Sequence, residues 1–367
     1  MRRRLEGRKL DHIRVSLSER VESGVGAGFE DVKLIHASLP EIDLEEVDTG
    51  TRFLNHDLKA PILIEPMTGG TSRAERINRN LAEAAEELGV ALGVGSQRAA
   101  LEDPRLEKTF RVVREAAPNA LVLANIGCPQ LLEPGAEGKA QKAVEMVEAD
   151  GLMIHLNPLQ EAIQPEGETR FRGALEMIGK VAEKVTVPLV VKETGAGVSK
   201  EVAVMLRRAG VRYLDVAGLG GTSWAGVEHH RAEKAGDSRR ASLGRAFWDW
   251  GIPTVVSLVE TLALTDMKVI ASGGVRSGID AAKAVALGAE LAGMALPLLK
   301  PAVEGAGSVK RRLREVIDEL KVAMFLTSSP TPAALRRAPL VIMGETRHWL
   351  GQRGEYVRDY LEKRVRV

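Results

Sequence analysis

The chain has 367 residues, of which 44% are apolar and 28% charged, the balance of a water-soluble protein with a large core. Its 51 basic residues against 50 acidic ones leave a net charge of +1, which gives no global attraction to nucleic acid or to an anionic membrane. A single cysteine excludes a disulfide framework and a cysteine-rich zinc site, and no window approaches the roughly 18 consecutive apolar residues of a membrane span.

In chain order, the basic start MRRRLEGRKLDHIRV has no apolar core behind it, so it lacks the pattern of a signal peptide and a cytoplasmic protein is expected. Short apolar runs then recur: APILIEPMTGG (60–70), VALGVGSQR (90–98), ALVLANIGCP (120–129) and GLMIHLNPLQE (151–161). They continue with VPLVVKETGAG (187–197), YLDVAGLGGTS (213–223), MKVIASGGVRSG (267–278) and ELAGMALP (290–297). Each is too short for a helix and apolar at consecutive positions, the mark of a strand buried on both faces. The segments between them have helical period. Ala74 to Leu88 puts Ile77, Leu81 and Leu88 on one face. Ser199 caps a predicted helix ending at Arg208, and Ser277 with Asp280 stands at capping-box spacing before a helix closed by Gly288.

Eight such strands alternating with helices predict an α/β fold, a TIM (β/α)₈ barrel with N- and C-terminal extensions. The expected division of this single domain is an extension over the barrel mouth at 1–58, the barrel at 59–299 and a helical extension at 300–367. The last contains an amphipathic helix near Val309–Phe325, and an insertion at Gly218–Trp250 follows the sixth strand.

In such a barrel, function sits on the loops after the strands. The loops after strands seven and eight carry Ser272-Gly273-Gly274-Val275-Arg276 and Gly293-Met294-Ala295-Leu296, glycine-bearing turns that let backbone N–H groups approach a phosphate. Lys192 ends a run of valines and needs an anion or an electron-rich ring, because an unpaired buried ammonium is costly. Thr68, Ser96, Asn125 and Thr222 add a ring of hydrogen-bonding groups suited to a flat heterocycle such as flavin. His155-Leu156-Asn157-Pro158-Leu159-Gln160-Glu161 is dense polar chemistry, in which Glu161 suits a hard divalent cation. Arg98 suits phosphate, while Arg8, Lys9, Asp11 and His12 read equally as a solvated arm or as a clamp on a second anion. Trp224 and Glu228 fit a lid, Trp248 and Trp250 read as packing, and Cys128 reads as a small loop residue.

These motifs resemble one family nearly end to end, the type 2, flavin-dependent isopentenyl diphosphate isomerases. The resemblance rests on RK-x-DH at 8–12, EPMTGG at 65–70, GVGSQR at 93–98, ANIG at 124–127 and HLNPLQE at 155–161. It continues through VKETGAG at 191–197, GGTSWAGVE at 220–228, SGGVRSG at 272–278 and GMALP at 293–297. It implies FMN held by Met67, Thr68, Gly69, Ser96, Asn125, Lys192, Thr222, Gly274, Val275, Arg276, Ala295 and Leu296. It implies a prenyl diphosphate gripped by Arg8, Lys9, His12, Ser96, Gln97 and Arg98, with His155, Asn157 and Gln160 beside it. Glu161 would hold Mg2+, and Gln160, Lys192, Trp224 and Glu228 would form the catalytic set. Ala217 is a departure, since family members often have serine there, and it removes one flavin hydrogen bond.

The implied reaction is the interconversion of isopentenyl and dimethylallyl diphosphate in isoprenoid biosynthesis, with FMN reduced by NADPH. The partner is then a small molecule, with neither nucleic acid nor membrane, in a homo-oligomer (tetramer or octamer). The alternative is an FMN-dependent 2-hydroxy-acid oxidase or dehydrogenase. That chemistry needs a histidine base just past strand six, where this chain reads AGLGGTSW. An inosine-monophosphate-dehydrogenase-like enzyme would need a cysteine in that loop, and a nucleic-acid-binding barrel based on Arg2-Arg3-Arg4 and Lys310-Arg311-Arg312 would lack aromatic platforms at 4%.

Overall fold

Eight short strands close into a parallel barrel in the computed structural model, which describes residues 2–365. The side chains of residues 2–6, 361 and 363–365 lie outside the described set, and with them the side chains of the Arg2-Arg3-Arg4 run. The strands are β1 (Ile62–Ile64), β2 (Ala91–Gly93), β3 (Val122–Gly127) and β4 (Gly151–His155). They continue as β5 (Leu189–Lys192), β6 (Tyr213–Asp215), β7 (Lys268–Ser272) and β8 (Leu291–Met294). Every one falls inside an apolar run read from the sequence. Strand β8 pairs with β1 through Ala292↔Ile62 and Met294↔Ile64, which closes the cylinder.

The consecutive apolar residues are explained by the two cores they serve. Leu63, Leu123, Met153, Val190, Ile270 and Leu291 point into the barrel, where Phe53, Leu54 and Leu58 plug the end away from the mouth. These plug residues sit on a small hairpin, Thr51–Phe53 with His56–Leu58. The alternate residues Ile62, Ile64, Ala124, Ile154 and Val191 face outward and join the larger core under the helices. Two-sided burial is what a period-two strand requires here.

The caps behave as read. Ser199 accepts the Val202 N–H, Ser277 and Asp280 form a reciprocal capping box, and Gly288 ends that helix at φ 115°. The extensions are tied together by Val32–Leu34 pairing antiparallel with Leu340–Ile342, a contact between segments too short to signal themselves. Helix Ala306–Phe325 packs on Ser72–Leu88 and Gly278–Leu287. The N-terminal helix Arg2–Ser18 contacts Trp224–Lys234 and Leu296–Glu304 across the mouth. Trp248 packs edge-on against His229 and His230, and Trp250, though largely exposed, packs edge-on against Phe247. Among the described residues, no helix is long and apolar enough to cross a membrane.

Candidate active site

The barrel mouth opens into one cavity, and the C-terminal end of every strand contributes to its wall. Met67 and Thr68 follow β1, Ser96 and Arg98 follow β2, and Asn125 belongs to β3. His155, Asn157, Gln160 and Glu161 come from β4 and its loop, and Lys192 ends β5. Thr222 and Trp224 follow β6, Gly274 and Arg276 follow β7, and Ala295 and Leu296 follow β8. Arg8, Lys9 and His12 line the same cavity from the N-terminal helix, so this segment folds over the mouth and is not a solvated arm. The structure therefore brings together most of the residues singled out in the sequence.

Lys192 sits at the floor and is 5% exposed. Its ammonium lies 3.2 Å from Asp215 Oδ2 and 3.5 Å from Glu65 Oε2, and it donates to the Glu193 carbonyl at 2.6 Å. Burial works against this charge, but the Asp215 carboxylate, with a smaller contribution from the Glu65 side chain, outweighs it and holds the ammonium above its ordinary pKa. Glu65 is pushed up to about 8, first by burial and then by the Asp215 charge, against the pull of Lys192. A proton on Glu65 leaves Lys192 and Asp215 as a neutral pair, the arrangement a buried site tolerates best. Asp215 also accepts from Ser272 Oγ at 2.7 Å and from the Ala217 N–H at 3.2 Å. Glu65 and Asp215 were not picked out from sequence, although each is an acid inside an apolar run, the same signal that marked Lys192. Ala217 lines the cavity with φ 36°, a strained conformation for a residue with a Cβ.

A second cluster surrounds the N-terminal helix. Lys9 Nζ donates to the Ser96 carbonyl at 2.8 Å and lies 5.2 Å from the centre of the Phe110 ring. Burial, with Arg8 adding to it, lowers the Lys9 pKa to about 7. Arg98 bonds Glu168 at 2.7 Å and Glu102 at 2.8 Å, while Arg231 bonds Glu166 at 3.2 Å. Arg8 is close enough to Glu166 and Glu161 to feel both charges, yet its buried Nε has no partner. His155 donates its Nδ1–H to Asn125 Oδ1 at 2.7 Å, and burial with Lys192, Lys9 and Arg8 nearby drops its pKa to about 3. It is a neutral imidazole with Nε2 left as an acceptor.

Four expected site residues do not face the cavity. Gln97 is fully buried beneath it, donating to Ala143 O at 2.8 Å and accepting the Asn125 N–H at 2.8 Å, so its amide is committed to holding two loops together. Gly69 is packed against Phe110, where a Cβ would come within 2.0 Å of the ring, and Val275 points into the outer core. Glu228 is walled in: His12 Nε2 lies 2.8 Å from one carboxylate oxygen, and Arg231 bonds the other. Through His12, which sits edge-on to Trp224 at 5.1 Å, Glu228 fixes the roof of the cavity.

The lining fits the groups that the sequence pointed to. A Cβ on Gly221 would lie 2.6 Å from Gly274 N, and one on Gly274 would lie 2.7 Å from Gly220 O, so the loops after β6 and β7 meet as bare backbone. Gly273 and Gly274 hold φ 93° and 78° just before the capped helix Gly278–Leu287, a cradle for a phosphate. Glu161 accepts from Asn157 Nδ2 at 2.9 Å and from the Glu168 N–H at 2.6 Å. Two buried oxygens of residues lining the same cavity, Asn157 Oδ1 and Gln164 Oε1, lack partners, and with Glu161 they offer oxygen donors suited to a hard divalent cation. Cys128 is buried and its thiol is pushed up to about 12 by burial, which suits a structural loop residue.

Residues 121–342 match the FMN-dependent dehydrogenase family. The chain is 50% identical over 354 residues to an isopentenyl-diphosphate delta-isomerase of Methanosarcina barkeri, covering 96% of each chain. It is 49% identical to that of Archaeoglobus fulgidus, covering 95% of this chain and 99% of the relative. Among solved structures, a putative lactate oxidase of Pediococcus acidilactici superposes with a TM-score of 0.64 at 16% identity, covering 86% of this chain and 84% of that one. A mandelate oxidase crystallised with (S)-4-hydroxymandelic acid gives a TM-score of 0.63 at 17% identity, covering 93% and 98%. At that identity the likeness is one of fold.

Proposed function

Since the chain belongs to the isopentenyl-diphosphate delta-isomerase family, on the barrel of the FMN-dependent dehydrogenases, we propose that this mouth interconverts isopentenyl and dimethylallyl diphosphate with reduced FMN and Mg2+. The observation that carries the reading is that one cavity is lined both by the bare glycine backbone of the loops after β6 and β7 and by cations, Lys192 at its floor and Arg8, Lys9 and Arg98 along its wall.

Lys192, Thr68, Ser96, Asn125 and Thr222 would hold the flavin ring, with Met67 beside it. Gly274, Arg276, Ala295 and Leu296 would take its phosphate. When bound, reduced FMN supplies an electron-rich ring beside which positive charge on a prenyl chain is stabilised, and a site for proton exchange. Glu161, with the oxygens of Asn157 and Gln164, would hold Mg2+, which neutralises part of the substrate's diphosphate charge.

The chain's own part is positioning. Arg8, Lys9 and Arg98 bind the diphosphate, and the N-terminal helix keeps bulk water from the prenyl end. The neutral His155 offers Nε2 as an acceptor and becomes a donor once the anion raises its proton affinity. Gln160 and Trp224, which line the cavity, would border the prenyl chain, with Gln160 assisting proton exchange through water. Glu228 acts at one remove, fixing His12 against Trp224. The reaction adds a proton at one end of the alkene and removes one from the carbon beyond it, so no net redox change occurs. NADPH as the initial reductant, a cytoplasmic setting and a homo-oligomer accord with this reading.

The 2-hydroxy-acid oxidase alternative needs an imidazole delivered by the loop after β6. His229 is turned away from the cavity to bond Ala241 O at 2.7 Å, and the imidazoles lining the cavity among the described residues are His12 and His155. The test is an anaerobic isomer-exchange assay. Turnover is expected with dithionite- or NADPH-reduced FMN and Mg2+; equal turnover with oxidised FMN refutes the proposal. Rapid flavin bleaching by lactate supports the alternative.

A further inference from the structure

Outside the mouth, the helix Trp224–Lys234 carries a second constellation that the isomerase chemistry does not use. His229 and Glu233 are four residues apart and His230 and Glu233 three apart, so one carboxylate lies a turn beyond both imidazoles on one face. His229 Nε2 is 3.3 Å from Glu233 Oε1, and His230 Nδ1 is 3.8 Å from Glu233 Oε2. The ligating atoms of the three residues lie within 4.8 Å of one another.

The opposite ring nitrogens decide what this means. His229 Nδ1 lies 2.7 Å from the carbonyl oxygen of Ala241, and His230 Nε2 lies 3.1 Å from that of Arg20. A carbonyl oxygen only accepts, so both of these nitrogens carry hydrogen. In the neutral rings, His229 Nε2 and His230 Nδ1 are therefore lone pairs, and both face a carboxylate that is itself an acceptor. Among these three residues no hydrogen lies between the converging acceptors, an arrangement that a cation seated between them satisfies. Anchoring each distal N–H on a carbonyl is also how proteins aim an imidazole at a metal. His229 is buried, His230 half-buried and Glu233 exposed, so the cluster is rigid on one side and open to water ligands on the other. The competing cation is Arg245, whose guanidinium reaches Glu233 at 3.5 Å from a largely exposed side chain, a contact that costs little to give up.

We propose that His229, His230 and Glu233 form a binding site for a borderline divalent cation of the zinc class, distinct from the all-oxygen site at Glu161. Two imidazoles and a carboxylate with an open position suit Zn2+ and disfavour Mg2+, which takes oxygen ligands and gives up its waters reluctantly. The site also touches the N-terminal segment, because His230 is anchored on Arg20 and Trp248 Nε1 donates to Glu22 O at 3.0 Å. A bound ion would therefore brace the segment that leads out of the helix roofing the mouth.

The test is equilibrium dialysis of the full-length flavin-loaded protein against micromolar Zn2+ in a millimolar Mg2+ background, with metal quantified per chain. The parent is expected to retain one Zn2+. His230→Gln and Glu233→Gln, both reaching solvent and checked for unchanged flavin content, are expected to bind it about tenfold or more weakly. Glu161→Gln is expected to retain it. Absence of zinc from the parent overturns the proposal. So does zinc that survives in both His230→Gln and Glu233→Gln, or that is lost in Glu161→Gln alone.

Discussion

Removing the ammonium at the floor of the mouth is the most direct probe of how the site is built. In Lys192→Met, Asp215 is left with no exposed surface, its Ser272 and Ala217 donors and no counter-charge. Glu65 does not share the damage, because burial already holds it near its protonated form. Breaking one partner of a buried ion pair costs about 3–5 kcal/mol, most of it the stranded charge. With an unfolding entropy of about 2.1 cal/mol/K per residue and 367 residues, that cost corresponds to a fall in Tm of roughly 4–6 °C. The double variant Lys192→Met/Asp215→Asn removes both charges and keeps an amide for the Ser272 hydroxyl, so most of the loss is expected to return. The assay is calorimetric Tm on flavin-stripped parent, single and double variants, followed by FMN titration. Stability is expected to recover in the double variant while FMN affinity does not, since Lys192 would serve the cofactor as well as Asp215. A single variant within about 1 °C of the parent, or a double variant as unstable as the sum of the two singles, would refute the neutral-pair account.

Three further outcomes follow from other parts of the mouth. Lys9, held near pKa 7 in the free protein, must gain a proton to bind an anion at higher pH, so KM for the diphosphate should climb as pH rises above 7. Lys9→Met should weaken binding and flatten that slope; a pH–KM profile decides it, and an unchanged slope rejects the assignment. His155 has its pKa depressed to about 3 from an unfolded value of 6.5, so the unfolded chain takes up a proton that the folded one refuses. Folding stability should fall as pH drops from about 6.5 toward 3, and urea midpoints for His155→Gln should depend less on pH across that window. Gly221→Ala puts a Cβ 2.6 Å from Gly274 N, whereas Gly138→Ala meets nothing within 4 Å. The first should purify with markedly less flavin and the second with the parent's content, and equal flavin in both would mean the cradle is not built from these loops.

How much of this was legible depended on whether a residue's partners were near in sequence or only near in space. The strands were readable because their two-sided burial leaves consecutive apolar residues, as in Leu189–Lys192, and the caps because Ser199 and Ser277 bond their own helix. The hairpin plug at 51–58 and the Val32–Leu34 pairing were not, because three-residue strands carry too few positions for a period. Gln97 shows a different limit. It sits in GVGSQR between residues that do line the cavity, and only the position of Ala143 and Asn125 reveals that its amide points away.

Glu228 and Glu65 exchange the roles that residue type alone would give them. An acid in the insertion after β6 invites a role in proton transfer, yet Glu228, on the helix Trp224–Lys234, is held ionised below the usual carboxylate range. Burial opposes that state, but His12 and Arg231 prevail. It is enclosed between His12 and Arg231 and does not line the cavity, which suits it to holding His12 in place. Glu65, hidden in a strand-like run, is the carboxyl that keeps a proton near neutral pH and lines the cavity beside Lys192. In a closed barrel every strand end meets the ends of its neighbours across the cylinder. An ionisable residue at such a position is therefore defined by residues dozens of positions away, as Lys192 is by Glu65. Charge at the floor of this mouth belongs to the ring of strand ends and not to any single loop, which is why Lys192 has to be tested together with Asp215.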